Sequence, residues 1–170
     1  MRKALVVSVL LVLVACSGAP LTIPIADQSV DFAIVPPTAG KVAYPIAKTS
    51  FDNKGITLKD LELVGTVQFS GLSGNTTLTL YARNQNPSAS CSPVPTLAPQ
   101  YYVCDASSET AISNSLTFNS AQTSQALSLK GEKLVQGINQ NSLWLGVKVD
   151  NTLVNSRLDF KNLVAKVVLF

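Results

Sequence analysis

The 170 residues include no histidine, which removes the side chain that most often carries protons near neutral pH. No Ser-His-Asp or Cys-His nucleophilic arrangement can be built from what remains. Charge is scarce as well: Asp, Glu, Lys and Arg make up 14% of the chain, against about 25% in ordinary soluble domains. Ser, Thr, Asn and Gln are plentiful instead, so the expected surface is polar but mostly uncharged. There is no basic cluster able to neutralise a row of phosphates, and nucleic acid is not an expected partner. Nothing in the chain implies a cofactor. Gly71-Leu72-Ser73-Gly74 falls short of a G-x-S-x-G elbow and lies between strand patterns, so it reads as a turn.

What is present begins at the first residues. Met1-Arg2-Lys3 leads into the apolar run Ala4 to Leu13, and Leu13-Val14-Ala15-Cys16 follows. A charged start, a short apolar stretch and small residues before a cut are the layout of an export signal. The run is too short to cross a bilayer, which takes about 20 apolar residues. Its ending resembles the lipobox of bacterial lipoproteins. That resemblance implies cleavage before Cys16, a diacylglycerol on its thiol and a further acyl chain such as palmitate on its new amino group. Two or more chains are needed for a stable hold. Ser17 stands where an Asp would signal inner-membrane retention, so the resemblance implies a cell-envelope location, at the outer membrane if the host has one. Removing residues 1–15 takes away Arg2 and Lys3, leaving 11 basic residues from 13 against 10 acidic ones, a net charge of +1 instead of +3.

The expected organisation is a signal peptide over 1–15, a lipidated tether over 16–29 and one domain over 30–170. Ser17 to Gln28 is small-residue chain with two prolines and no sustained period. Beyond it, alternation with period two dominates. Leu61, Leu63, Gly65, Val67 and Phe69 alternate with Glu62, Val64, Thr66 and Gln68, and Leu78 and Leu80 alternate with threonines and Tyr81. The same rhythm returns at Leu116/Phe118, Leu127/Leu129, Leu143/Leu145/Val147/Val149 and the last segment to Phe170. Short strands joined by turns such as Ser70 to Asn75 predict an all-β fold, an antiparallel β-sandwich of about 8 strands. Glu132 to Asn139, with Leu134, Val135 and Ile138 at helical spacing, is the one helix candidate, although Gly137 lies inside it.

A local echo between Ile56 to Leu63 and Arg157 to Val164 carries a change of phase in each copy, from Ile56/Leu58 to Leu61/Leu63 and from Leu158/Phe160 to Leu163/Ala165. One inserted residue at Asp60 or Asn162, a β-bulge, would keep both halves facing inward.

Cys91 and Cys104 form an even pair in an exported chain, which predicts a disulfide. The enclosed prolines bar Ser92 to Pro99 from a central strand. A metal site is not expected, because two cysteines without histidine fall short of a ligand set. Asp52-Asn53-Lys54-Gly55 and Asp150-Asn151 lack the ligand count of a calcium loop and read as turns.

Two groups of residues bear on function. Asp60 and Glu62 share a strand face and are the nearest approach to a carboxylate pair for glycoside hydrolysis, though a solvated edge accounts for them. Trp144 and Tyr81 stand opposite in phase to the leucines of their strands, and Tyr101-Tyr102 precedes Cys104. Exposed, these aromatics would form a platform for sugar rings or a partner protein; the favoured expectation is that the stapled loop or the second sheet covers Trp144 and Tyr81. The sequence thus implies a lipid-anchored envelope protein with a non-catalytic binding or structural role. A glycan-binding sandwich is the alternative, and a carboxylate hydrolase the more distant one.

Overall fold

The computed structural model describes residues 21–35, 38, 40–49, 57–71, 74–94 and 101–168. The segment read as a signal, Cys16, and Asp52 to Gly55, expected as a turn, lie outside these residues.

The expected two-layer arrangement is present, with more strands than the eight anticipated. Twelve strands form two wholly antiparallel sheets, accompanied by one α-helix among the described residues. The first sheet contains β1 (Leu21–Ile25), β2 (Gln28–Val35), β4 (Asp60–Ser70), β10 (Ser124–Lys130) and β12 (Leu153–Val168). Its order is β1-β12-β4-β10, with β2 also laid on β12. The second runs β6 (Ser92–Val94), β7 (Tyr101–Asp105), β3 (Lys41–Pro45), β11 (Trp144–Val149), β5 (Thr76–Arg83) and β8 (Thr110–Ala111), with β9 (Leu116–Phe118) also on β5. The period-two sequence pattern puts leucines, valines and phenylalanines from both sheets into one core. Val67, Phe69, Leu78, Phe118, Leu158 and Leu163 are among its members. Phe69 and Phe118 meet edge to face across it at 5.4 Å.

The tether expected over 16–29 is partly wrong. Leu21–Ile25 forms strand β1 on β12, from Leu21↔Val167 to Ile25↔Leu163, and β2 begins at Gln28. A five-residue strand interrupted by Pro24 has too short a period to stand out in sequence, yet at a sheet edge a proline costs no ladder hydrogen bond.

The helix α1 spans Glu132–Asn139, as its spacing predicts, and buries Leu134, Val135 and Ile138. Gly137 has a packing reason. A Cβ there would come within 2.6 Å of Leu143 Cδ1. At its end, the Asn139 side chain accepts from the Leu58 amide and donates to the Leu58 carbonyl, both at 2.8 Å.

The bulge occurs at one of the two candidate positions. The β12–β4 register shifts between Lys161 and Val164, and Asn162 takes φ +52°. The inserted residue lets Leu158 before it and Leu163 after it both point into the core. Its amide donates to Asp27 Oδ1 at 2.9 Å, in the gap between β1 and β2. On the other side lies Gly65, where a Cβ would sit 2.8 Å from the Lys161 carbonyl. Asp60 is not a bulge: it is the first residue of β4, paired with Val168, so the phase change there marks the start of a strand. From Asp60 onward the first echoed segment belongs to β4, the neighbour of β12, and the two have different local geometry.

Because backbone and not a flexible side chain blocks Gly65, Gly65→Ala is expected to lower stability by about 1–3 kcal/mol. Asn162→Gly, at a left-handed position glycine occupies freely, is expected to stay within about 1 kcal/mol of the parent. Urea denaturation of the three proteins checks both.

Candidate functional site

The outer face of the second sheet holds the residues singled out for binding. On β3, β5, β7 and β11 the outward phase is Val42, Tyr44, Tyr81, Cys104 and Trp144, which form a second buried cluster separate from the main core. The disulfide Cys91–Cys104 is present, with a Cα–Cα distance of 4.7 Å. It lies over this face and fastens the short 3-10 turn Pro87–Ala89 and β6 to β7. β6 itself is an edge strand, so the segment after Cys91 starts as a hairpin arm where surface loop was expected; Pro93 is tolerated there. Residues 95–100 lie outside the described residues.

The aromatics therefore do not form an exposed platform. Trp144 and Tyr81 are buried, and the Trp144 indole N–H donates to the Ile46 carbonyl at 3.2 Å. Tyr101 points the other way, into the main core, and Tyr102 is half-buried. Covering the outward phase is consistent with its chemistry: large aromatic surface gains most from removal from water.

Under the disulfide lies a polar arrangement that strand periodicity does not reveal. The Tyr44 hydroxyl donates to Glu109 Oε2 at 2.8 Å, and Arg83 Nε stands 3.6 Å from the same oxygen. The guanidinium also lies 5.7 Å from the Tyr44 ring centre, reaches Cys91 Sγ at 2.6 Å and Cys104 Sγ at 3.1 Å, and donates to Ser90 Oγ at 2.8 Å. The ring of Tyr44 rests on Gly146, where a Cβ would be 2.4 Å from Cε1. Only the phase of Arg83, two residues after Tyr81, hinted at its place; Glu109 gave no signal. Burial, and then the bond to Glu109, pushes the Tyr44 phenol far above its ordinary value. The phenol therefore stays protonated and keeps its bond to Glu109.

The carboxylate candidates are also accounted for. Glu62 is bound by Lys130 at 3.1 Å, Lys166 at 3.4 Å and Ser128 at 3.1 Å. The bond from Lys130, first among these, holds its carboxyl below the usual range, the opposite of what a general acid needs. Asp60 accepts from the Leu61 amide at 2.8 Å. Asp150 caps Thr77 N–H at 2.7 Å, and Asn151 donates to the Asn75 carbonyl, so this pair forms a turn.

Among the described residues an open groove of about 400 Å³ lies at a loop end of the sandwich. Gln68, Ser70, Asn75, Ser120 and Thr123 line it around Phe69 and two glycines. Its lining contains no charged side chain. It offers neutral hydrogen-bond donors and acceptors.

No known family description matches the chain, and no curated protein does. Among solved structures, a xylan-binding module CBM15 matches with a TM-score of 0.34 and 11% identity, over 88% of this chain and 98% of that one.

Burial also raises Tyr101. For a group whose value is raised in the folded state, the folded form binds more protons than the unfolded above pH ~10, so stability is lost as pH rises past that point. Urea midpoints measured upward from about pH 9 are expected to fall. The decline should be shallower in Tyr44→Phe, by up to about 1.4 kcal/mol per pH unit.

Proposed function

We propose that this is a lipoprotein of the bacterial cell envelope, held by acyl chains on Cys16, whose sandwich binds or positions a partner and performs no catalysis. The observation that carries the reading is Leu13-Val14-Ala15-Cys16 after a charged start and a ten-residue apolar run. The rest of the molecule is compatible with it. The tyrosine and tryptophan clusters are buried, and Glu62 is committed to two lysines. Labelled palmitate is expected to enter the protein in growing bacteria and to be lost in Cys16→Ser, which moves from the membrane to the soluble fraction. Equal fractionation of the two, without label in either, would refute the reading.

The groove favours one specific kind of partner. Its uncharged hydrogen-bonding lining suits a glycan, bound without aromatic stacking. Soluble cell-wall oligosaccharides titrated into the Cys16→Ser protein are expected to release or take up heat. Asn75→Ala should weaken their binding about tenfold, the worth of one good hydrogen bond. No heat with any oligosaccharide would leave the domain a structural role only.

A further inference from the structure

We infer that β1 is a membrane-contact strand: the side chains of Leu21 and Ile23 rest in the interface of the bilayer that holds the Cys16 acyl chains. This rests on the lipidation reading above and adds the orientation of the domain to it.

Large exposed apolar side chains are few among the described residues. Leu21 is 51% exposed, Ile23 39%, Val30 43%, Val154 47% and Ile46 47%. The first two belong to β1, and their direction is fixed by register. Leu21 pairs with Val167, Ile23 with Ala165 and Ile25 with Leu163. Directly paired residues share a sheet face, and Val167, Ala165 and Leu163 are all buried in the core. So β1 aims its apolar side chains toward the inner face, at a margin the opposite sheet leaves open. Exposure rises along it, from Ile25 packed against the core, through Ile23, to Leu21. That gradient points toward the anchor.

Chain length supplies the second argument. Only residues 17–20 separate Cys16 from Leu21. Five steps of extended chain reach at most about 18 Å, roughly half the ~40–45 Å thickness of a whole bilayer. An acylated Cys16 therefore confines the N-terminal end of β1 to the membrane surface. Leu21-Thr22-Ile23-Pro24-Ile25 carries no charge, so no ion is stripped of water on approach. The contact belongs in the interface and not in the hydrocarbon, because an edge strand has backbone groups that lipid cannot satisfy. Val30 lies opposite Leu158, seven residues along β12 from Ala165 or about 23 Å, and is not part of it.

Cys91 and Cys104 are joined and an acylated Cys16 has no free thiol, so Ile23→Cys introduces a unique labelling site. The lipidated full chain carrying an environment-sensitive fluorophore at position 23 would be placed in phosphatidylethanolamine–phosphatidylglycerol vesicles containing quencher-bearing lipid. A second preparation would carry the label through Ser107→Cys, in the 3-10 turn Ala106–Ser108 that follows β7 of the opposite sheet. The expected result is blue-shifted emission and lipid quenching at 23 and neither at 107. Leu21→Ser alongside the label should at least halve the quenching at 23. Palmitate present on Cys16 but a water-like spectrum at 23 would overturn the contact and leave anchoring intact. A blue shift without lipid quenching would assign the strand to a protein neighbour or second copy, and would overturn it too. Absence of palmitate would overturn both readings.

Discussion

The first sheet depends on a single strand serving three partners. β12 accepts β4 along one side and both β1 and β2 along the other. A sixteen-residue strand with strict alternation would have to keep one phase throughout, while the apolar residues of its two halves stand in opposite phases. The extra residue at Asn162 reconciles them. Its neighbours share the adjustment: Gly65 lets the β4 backbone come close, and Asp27 accepts the amide that leaves the ladder. Bulge, glycine and capping acid form one device spread over 135 residues of sequence.

The second sheet has a different constraint. Its outer face would expose Tyr44, Tyr81 and Trp144 if nothing lay over it, and so large an apolar patch is rare on a soluble surface. The disulfide-fastened turn packs against it, Glu109 accepts the bond of the buried Tyr44 hydroxyl, and Arg83 pairs in turn with Glu109. Loop and staple are what make the aromatics part of a second small core. The surfaces left uncovered among the described residues are elsewhere, at the neutral groove and at the margin beside β1.

Much of this was legible in the residues and some was not. The alternation of β4, β5 and β11 marks strands because one face of each meets the core, and α1 was visible from three apolar residues at helical spacing. The disulfide followed from an even cysteine pair in a chain whose first residues read as an export signal. β1 escaped notice because its alternation of Leu21, Ile23 and Ile25 is only five residues long and carries a proline, and Asp60 misled because a strand start and a bulge both break the phase. The groove was illegible for another reason: Gln68, Ser70, Asn75, Ser120 and Thr123 come from separate loops and strand ends, and as single polar residues each looks like an ordinary turn. Arg83 and Glu109 lie 26 residues apart, and their pairing exists only in three dimensions.

The dependence on β12 also shapes how the chain comes to be folded. Residues 21–35, which leave the ribosome among the first, have as their strand partner a segment made more than a hundred residues later. Pairings of such separation form slowly, since a large loop must close before they repay it. β4 can meet β10 before β12 exists, but β1 and β2 cannot be placed until β12 has been made. Until then β1 and β2 have no strand of this sheet to join, so topology alone keeps residues 21–35 unpaired while β12 is awaited.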